Sequence, residues 1–254
     1  MRIDLSGRLA VVTGATGQLG RVIVPTLAEC GAAIVIHYLR NHDKALELLA
    51  TVKQIGARGM VAQADVTNLD SVLSMRDEIR RTMHTTPDII VNNAVSQYRW
   101  TSVLEQSPED YEDQFRTCVL HNVHMAQVFV PDMIKNRYGR VIAISTECAM
   151  QNWPSQSAYV SGKRGMDGVL RVLAKEIGEH QITVNQVAPG WMITDSVRKA
   201  RSERQDWYER QVPLRRRGTD QEVANVVAFL ASDLAGFITG AYIPVCGGNV
   251  MPCI

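Results

Sequence analysis

A short apolar segment that runs straight into a glycine-rich turn constrains the fold more than any other feature of this chain. Arg8–Thr13 is rich in Leu, Ala and Val, a composition typical of a buried parallel strand. Gly14, Gly17 and Gly20 follow, and the apolar spacing of Arg21–Cys30 then predicts a helix. Because glycines let a backbone approach phosphates and a helix N-terminus presents free N–H groups, this order predicts a dinucleotide pyrophosphate site. An ordinary glycine-rich βα turn is the alternative.

Segments with the composition of strands and of helices alternate from Arg8 to Cys246 with no linker and no internal repeat. This alternation predicts the α/β fold class. A chain of 254 residues has room for a sizeable core, and we expect residues 1–254 to form a single domain.

Charge and cysteine content exclude several functional classes. The formal net charge is +1, with both signs mixed along the chain, which argues against nucleic-acid binding. No apolar stretch approaches the ~18 residues of a membrane helix, and the N-terminus lacks a secretory signal core. The cysteines lack metal-ligand spacing and are odd in number, so we expect a cytoplasmic protein without a disulfide framework or a metal site. They are Cys30, Cys118, Cys148, Cys246 and Cys253.

One basic cluster, Arg215–Arg217, precedes the predicted helix Asp220–Leu230. A solvated turn is the favoured interpretation of this cluster. The alternative is a surface that attracts a phosphate or an acidic carrier protein.

The end of the second predicted strand, Ala32–Tyr38, indicates which dinucleotide is bound. An acidic residue at this point binds the ribose hydroxyls of NAD, whereas a basic residue accommodates the additional phosphate of NADP. No acidic residue follows the strand before Asp43, and Arg40 is available. The sequence therefore favours NADP(H) over NAD(H), with Arg40 as the phosphate ligand.

Tyr159 and Lys163 are four residues apart, so on a helix they share one face. An ammonium group beside a phenol favours the phenolate and lowers the pKa of the tyrosine from about 10. A tyrosine adjusted in this way can exchange a proton with an alcohol or ketone oxygen near neutral pH. Two exposed side chains on an amphipathic helix are the alternative for this pair alone.

Together these motifs show a chain that resembles the short-chain dehydrogenase/reductase family in its compact single-domain form. The resemblance runs nearly end to end, and the order of its motifs is more specific than any one of them. It implies a Rossmann-like doubly wound parallel sheet of about seven strands with helices on both faces. The further matching segments are Asp65-Val66, Asn92-Asn93-Ala94, Asn185–Gly190 with Thr194, Pro213-Leu214, Gly218, Phe229–Ser232, Thr239-Gly240 and Gly247-Gly248.

The resemblance also implies roles for individual residues. The catalytic set would be Thr146, Tyr159 and Lys163, with Thr146 in the place of a serine thirteen residues before the tyrosine; the neighbouring Ser145 is the alternative. The cofactor would be held by Gly14, Thr16, Gly17, Gln18, Leu19, Gly20, Tyr38, Arg40, Asp65, Val66, Asn93, Ala94, Tyr159, Lys163, Pro189, Gly190, Met192 and Thr194.

Besides Thr146, three further positions depart from the family pattern. Compact members usually carry the middle glycine one position later, where this chain has Gln18, and Val95 replaces the glycine that usually follows Ala94. The asparagine that anchors a water chain to the catalytic lysine aligns with Cys118. Asn122, one helical turn further on, is the possible replacement, and without one the proton relay would be impaired.

These features predict an NADP(H)-dependent oxidoreductase that interconverts a ketone and a secondary alcohol. The resemblance is strongest to 3-oxoacyl-thioester reductases, with a sugar or polyol dehydrogenase as the alternative. A catalytically weak nucleotide-binding protein and an epimerase or dehydratase are alternatives of other classes.

Loops Val95–Val103, Cys148–Gln156 and Met192–Pro213 should determine the substrate, with Ser196–Arg210 as a lid. Members of the family are commonly dimers or tetramers, and the tail Asn249–Ile254 could contact a neighbouring subunit.

Overall fold

Seven parallel strands form one sheet, and their order reverses at its centre. The computed structural model describes residues 2–193 and 206–252. Across the sheet the order is β3-β2-β1-β4-β5-β6-β7. The strands are β1 (Leu9–Val12), β2 (Ala33–Tyr38), β3 (Gly59–Gln63), β4 (Ile89–Asn92), β5 (Gly139–Ile144), β6 (Ile182–Pro189) and β7 (Tyr242–Val245). This arrangement confirms the expected doubly wound, Rossmann-like fold with seven strands.

Helices cover both faces of the sheet. The described helices are α1 (Gly20–Glu29), α2 (His42–Gln54), α3 (Leu69–Met83), α4 (Pro108–Gln114), α5 (His121–Asn136), α6 (Cys148–Gln151), α7 (Ser157–Ile177), α8 (Asp206–Glu209) and α9 (Asp220–Ala231). Short 3₁₀ turns occupy Gly178–His180 and Asp233–Ala235, and a π-helix occupies Phe115–Leu120.

Two apolar layers hold the helices to the sheet. Buried side chains from α1, α2 and α9 pack on one face, and buried side chains from α3, α5 and α7 pack on the other. The central strands are apolar on both faces, because helices exclude water from both sides of a parallel sheet. The predicted strand Arg8–Thr13 and helix Arg21–Cys30 lie within two residues of the observed β1 and α1.

The reversal of strand order opens a crevice at the carboxyl edge of the sheet. Val11 of β1 pairs with Val35 of β2 on one side and with Ile90 of β4 on the other. The connections after β1 and β4 therefore leave in opposite directions, and α/β folds bind ligands at this point. The glycine turn follows β1 and the Asn92-Asn93-Ala94 segment follows β4, so both border the crevice.

A π-helix interrupts the long helical segment that crosses the second face of the sheet. Ser107 caps α4, whose chain continues without a break through Phe115–Leu120 into α5. A π-turn inserts one additional residue into a helix, and such insertions are frequent at functional sites. Cys118 lies inside this segment, so the irregularity falls where the family asparagine aligns.

Candidate active site

The glycine turn is packed too closely for larger side chains at two of its positions. A Cβ atom on Gly20 would lie 2.6 Å from both the Ala15 Cα and the Gly14 carbonyl oxygen. Gly14 has a φ of +59°, and a Cβ there would lie 2.9 Å from the Ala94 Cα. The turn therefore needs glycine at both positions, and it leaves the N-terminus of α1 open toward the crevice. These are the features that a dinucleotide pyrophosphate requires.

Thr13 and Asn93 connect the ends of β1 and β4 around this turn. The Thr13 Oγ1 accepts the backbone N–H groups of Asn93 and Ala94 at 2.9 and 3.1 Å. The Asn93 amide donates to the carbonyl oxygens of Thr13 and Gly14, at 3.0 Å each. Asn93 thus positions the glycine turn through its side chain, a role that its sequence motif alone does not reveal.

His37 supports the same turn from β2. Its Nδ1 accepts the Gly14 N–H at 3.0 Å, and its Nε2 lies 3.0 Å from the Ala64 carbonyl oxygen. The ring is 2% exposed, and burial lowers its pKa to about 4. A neutral imidazole with its proton on Nε2 satisfies both contacts. Sequence analysis did not select His37, because a single histidine in an apolar strand carries no pattern.

The residues that the sequence assigns to adenosine binding lie where β2 and β3 end. Tyr38 ends β2 with its ring 5.2 Å from that of His42, and the Arg40 side chain that follows is exposed. Asp65 follows β3, and its carboxyl group accepts hydrogen bonds from the Thr67 N–H and hydroxyl at 2.9 and 2.7 Å. Val66 is buried beside it. These positions fit the adenine and the additional phosphate of NADP, a role that stays a prediction.

Gln18, which departs from the family glycine pattern, turns toward the C-terminal part of the chain. Its amide donates to Asp220 at the start of α9, and its Oε1 accepts from Arg21 at 3.2 Å. Thr16 and Leu19 are half-buried on either side of it. The Gln18 side chain is thus held by Asp220 of α9 and by Arg21 of α1.

Tyr159 and Thr146 meet at the far side of the crevice. Tyr159 lies in the first turn of α7, and Thr146 follows β5. Burial raises the pKa of Tyr159, and a hydrogen bond with the Thr146 side chain opposes that shift. Ser145 lies instead next to Tyr242 of β7, whose hydroxyl donates to the Thr146 carbonyl. Of the two candidates, Thr146 is therefore the one beside the tyrosine.

Lys163 lies one turn along α7 from Tyr159. Its Nζ is 5.8 Å from the centre of the Tyr159 ring and donates to the Ile144 carbonyl oxygen at 2.6 Å. Burial lowers the pKa of Lys163. The sequence predicts that this ammonium lowers the pKa of Tyr159. In the structure burial has the larger effect, and the pKa of Tyr159 is raised. Tyr159 consequently holds its proton at neutral pH.

Cys118 occupies the position next to Lys163 where the family carries asparagine. Its thiol is buried and lies 3.8 Å from the Gln114 Oε1, and the ammonium of Lys163 partly offsets the rise in thiol pKa that burial causes. Asn122 accepts from the Asn92 amide and donates to the Cys118 carbonyl oxygen, at 2.7 Å each. Asn122 therefore fixes the π-helical turn, and among its described hydrogen bonds none reaches Lys163.

A cavity of about 440 Å³ opens in front of Tyr159. Aromatic side chains from three loops line it, and Trp100 lies over the Tyr159 ring with centroids 6.0 Å apart. The Tyr98 hydroxyl accepts the backbone N–H of Tyr159 at 2.8 Å, which connects the loop after β4 to α7. This cavity agrees with the predicted substrate loops, and its aromatic lining comprises Tyr98, Trp100, Trp153, Tyr159, Trp191, Trp207 and Tyr208.

Like Trp191, Glu147 lines this cavity although the sequence analysis did not select it. It is 3% exposed and directly follows Thr146. Its two carboxyl oxygens accept from the Tyr208 hydroxyl at 2.7 Å and from the Asn249 amide at 3.1 Å. Burial raises the pKa of Glu147. No sequence signal could identify it, because its partners lie 61 and 102 residues further along the chain.

The nicotinamide end of the site is described only up to residue 193. Pro189 ends β6, and a Cβ on Gly190 would lie 2.8 Å from the Tyr208 hydroxyl. Met192 is buried behind them. Thr194 and most of the predicted lid Ser196–Arg210 lie outside the described residues, as do residues 253–254 of the tail.

The basic cluster Arg215–Arg217 differs from the expected solvated turn. Arg217 is 2% exposed, donates to the carbonyl oxygens of Trp191 and Met192, and lies with its Cζ 4.6 Å from the centre of the Trp191 ring. Arg216 is exposed and pairs with Glu222. The expectation fails for Arg217 because its guanidinium is used to hold the loop after β6.

Two classes of feature are absent from the part of the chain that the structure describes. Within residues 2–193 and 206–252, no group of His, Cys, Asp and Glu side chains could hold a metal ion. In the same residues no helix is both long and apolar enough to cross a lipid bilayer.

Comparisons with known proteins agree with this geometry. The family profile described as "Enoyl-(Acyl carrier protein) reductase" matches residues 14–249, which is most of the chain. The chain belongs to the short-chain dehydrogenase/reductase family. Within this family of oxidoreductases it is similar to the 3-oxoacyl-[acyl-carrier-protein] reductases FabG of Pseudomonas aeruginosa and Escherichia coli, with 34% identity to each. Both alignments cover 98% of this chain and 100% of the relative.

Solved structures of other dehydrogenases and reductases share the fold. The reductase LugOII, which catalyses keto-reduction at C1 during lugdunomycin biosynthesis, matches with a TM-score of 0.89 and 28% identity over 98% of this chain and 100% of that chain. A 7α-hydroxysteroid dehydrogenase complexed with NADH and 7-oxo-glycochenodeoxycholic acid matches with a TM-score of 0.88 and 28% identity over 99% and 97%. The protein is therefore a nicotinamide-dependent enzyme of the class that acts on CH–OH and C=O groups.

Proposed function

We propose that this short-chain dehydrogenase/reductase is an NADP(H)-dependent enzyme that reduces a ketone to a secondary alcohol, with Thr146, Tyr159 and Lys163 as its catalytic residues. One observation carries the proposal: Thr146 and Lys163 lie beside Tyr159, at the carboxyl edge of the sheet and across the crevice from the glycine turn. Substrate and cofactor would meet between these two groups of residues.

Tyr159 acts as the proton donor in this proposal. Since burial keeps its pKa raised, the phenol is protonated at neutral pH and can deliver a proton to the substrate oxygen. The Thr146 hydroxyl donates a hydrogen bond to the same oxygen and shares its developing negative charge. The Lys163 ammonium, held by the Ile144 carbonyl, stabilises the phenolate that remains.

The nicotinamide cofactor supplies the hydride when bound. Gly14, Gly17 and Gly20 would hold its pyrophosphate at the N-terminus of α1, and Asp65 and Val66 would contact the adenine. The remaining predicted contacts are Thr16, Gln18, Leu19, Tyr38, Asn93, Ala94, Pro189, Gly190, Met192 and Thr194. The exposed Arg40, together with the lack of an acidic residue between Tyr38 and Asp43, favours NADP(H) over NAD(H).

The names of the relatives make a 3-oxoacyl thioester, free or bound to an acidic carrier protein, the first candidate substrate. A polyol or sugar is the second candidate within the family.

We further propose a cytoplasmic homo-oligomer, a dimer or tetramer, in which residues 1–254 form one domain and the tail from Asn249 contacts a neighbouring subunit. The size-exclusion mass of a chain truncated after residue 248 tests the tail, because an unchanged oligomer would contradict that role.

The initial rate of NADPH oxidation tests the function directly. The panel consists of a 3-oxoacyl thioester, a diketone, a ketose and a bulky cyclic ketone. Consumption with any member supports a carbonyl reductase and ranks the substrate classes. No consumption with the whole panel, although NADPH still binds, would favour a catalytically weak nucleotide-binding protein with a relay impaired at Cys118. Conversion of a substrate without net NADPH consumption would favour an epimerase or dehydratase.

A further inference from the structure

Every tryptophan of this chain lines the cavity in front of Tyr159. The sequence contains four, Trp100, Trp153, Trp191 and Trp207, and they come from the three connections that follow β4, β5 and β6. Tryptophan offers the strongest ring face for a cation and a large flat surface for a ring-shaped ligand. A concentration of all four at one cavity goes beyond what is needed to cover a core, and Trp100, Trp191 and Trp207 are all more than a third exposed.

The tryptophans form two walls. On one side Trp100 is stacked on Tyr159 at an interplanar angle of 24°. On the other side Trp207 contacts both Trp153 and Trp191, with ring centroids 5.4 and 5.6 Å apart. The two walls enclose a cavity of about 440 Å³, which is the size of a small-molecule site.

The buried end of this cavity carries a carboxyl group without a cationic partner among the described residues. Glu147 is 3% exposed, and its hydrogen-bond donors are neutral: the Tyr208 hydroxyl, the Asn249 amide and the Trp191 backbone N–H. No Lys, Arg or His is found among the residues of the described part of the chain that line the cavity. Arg217 packs on Trp191 but is not part of that lining. A buried carboxylate is costly unless it is paired, so the cavity favours a cationic ligand.

On these grounds we propose that the substrate is not the 3-oxoacyl thioester that the relatives' names suggest but a compact cyclic ketone that carries an ammonium group, which the tryptophan walls and Glu147 recognise. This inference rests on the proposed function, since Thr146 and Tyr159 must receive the ketone oxygen. Thr146 and Glu147 are adjacent in the chain, so the carbonyl and the cation belong to one small molecule and not to the two ends of a long one. An aromatic enclosure is the common protein device for binding a substituted ammonium.

A pair of isosteric ketones separates charge from shape. The 1,1-dimethyl-4-oxopiperidinium ion and 4,4-dimethylcyclohexanone have the same outline, but only the first carries a charge, and that charge does not titrate. We expect kcat/KM for NADPH-dependent reduction to be about tenfold higher for the cation. Equal values, or a preference for the neutral ketone, would overturn the inference.

Variants identify which side chains recognise the positive charge of the substrate. Glu147→Gln should reduce the preference for the cation several-fold, because the glutamine retains the size of the side chain and loses its charge. Trp153→Leu should also reduce the preference, because an aliphatic side chain lacks a π face. The matched control is Glu179→Gln in the 3₁₀ turn that follows α7, where the side chain is 80% exposed; it should leave both rates unchanged. If Glu147→Gln lowers both rates by the same factor, Glu147 only positions Tyr208, and the proposed recognition of the charge is wrong.

The same measurements distinguish failure of this inference from failure of the proposed function. If a 3-oxoacyl thioester is reduced but neither member of the isosteric pair is, the inference about the substrate is wrong and the reductase function stands. If no ketone is reduced although NADPH binds, the proposed function itself is wrong. A thermal unfolding midpoint within a few degrees of wild type shows that each variant is folded.

Discussion

The two halves of the crevice are built by different means. Around the glycine turn, Thr13, His37 and Asn93 hold the chain through hydrogen bonds with backbone groups. Around Tyr159, by contrast, the cavity is lined by side chains from loops that lie far apart in the sequence. A dinucleotide has the same phosphates and riboses in every enzyme, so a fixed backbone suits it. Substrates differ, and only loops can vary without disturbing the sheet.

Replacement of Tyr159, the proposed proton donor, should show that the two halves act independently. Tyr159→Phe removes the proton donor but leaves the glycine turn intact, so we expect kcat to fall by about a thousandfold. The dissociation constant for NADPH, measured by fluorescence titration, should stay within a few-fold of wild type. A variant that retains most of its rate would contradict the assignment of Tyr159.

The buried imidazole of the nucleotide half should make stability depend on pH. Because burial lowers the pKa of His37 from 6.5 to about 4, the unfolded chain binds the proton more tightly than the folded chain does. This contribution to stability is complete above pH 6.5 and falls by about 3 kcal/mol as the pH drops toward 4. Urea unfolding at several pH values should show a shallower dependence for His37→Gln, which offers one donor and one acceptor without titrating. Parallel curves would refute this contribution.

A methyl group added to the glycine turn should weaken NADPH binding, which is the property that Tyr159→Phe leaves nearly unchanged. The Cβ of Gly20→Ala would lie 2.6 Å from two backbone atoms, so the turn must shift and we expect NADPH affinity to fall by at least about tenfold. Gly168→Ala is the matched control, because apart from its chain neighbours and its own helix backbone no atom lies within 4 Å of the added Cβ; in a helix interior it should stabilise the protein by about 0.5–1 kcal/mol. Unchanged NADPH affinity in Gly20→Ala would show that the turn does not carry the pyrophosphate.

Arg40 tests the choice between the two dinucleotides. Its side chain is exposed where β2 ends, so Arg40→Gln should lower the kcat/KM preference for NADPH over NADH by about tenfold through a weaker NADPH reaction. The rates with NADH provide the internal control. If both cofactors lose activity equally, Arg40 has a structural role and the NADP assignment loses its main support.

The smallest expected effect concerns the departure at Cys118. Cys118→Asn returns an amide to the position beside Lys163, and we expect kcat to rise a few-fold if proton supply limits turnover. The pH profile of kcat distinguishes this cause from better packing, because only a change in proton supply alters the apparent pKa values. A lower kcat with an unchanged profile would show that the thiol and the π-helix are adapted to each other.

Much of the fold could be predicted from local patterns, and the residues proposed for catalysis were selected from the same patterns. The strand, glycine turn and helix at the N-terminus, and the Tyr159–Lys163 spacing, are contained in short segments whose geometry is fixed by backbone periodicity. The register from Tyr159 selected Thr146 over Ser145, and the structure places Thr146 beside the tyrosine.

Other features depend on contacts between distant segments and could not be predicted. Glu147 meets Tyr208 and Asn249, and His37 meets Gly14, only after the sheet has formed. The pKa of Tyr159 was expected to be lowered by Lys163, but burial dominates, and burial is a property of the whole fold. The same holds for Arg217, which looked like part of a solvated cluster and is buried.

Hydride transfer is the central claim, and isotope transfer tests it most directly. The enzyme is incubated with NADPH that carries deuterium at both C4 positions and with each ketone that it consumes, and the alcohol product is analysed by mass spectrometry. We predict that each product molecule gains one deuterium atom on the former carbonyl carbon and that Tyr159→Phe abolishes its formation. An alcohol product without deuterium, or conversion of substrate with the NADPH unchanged, would contradict the account.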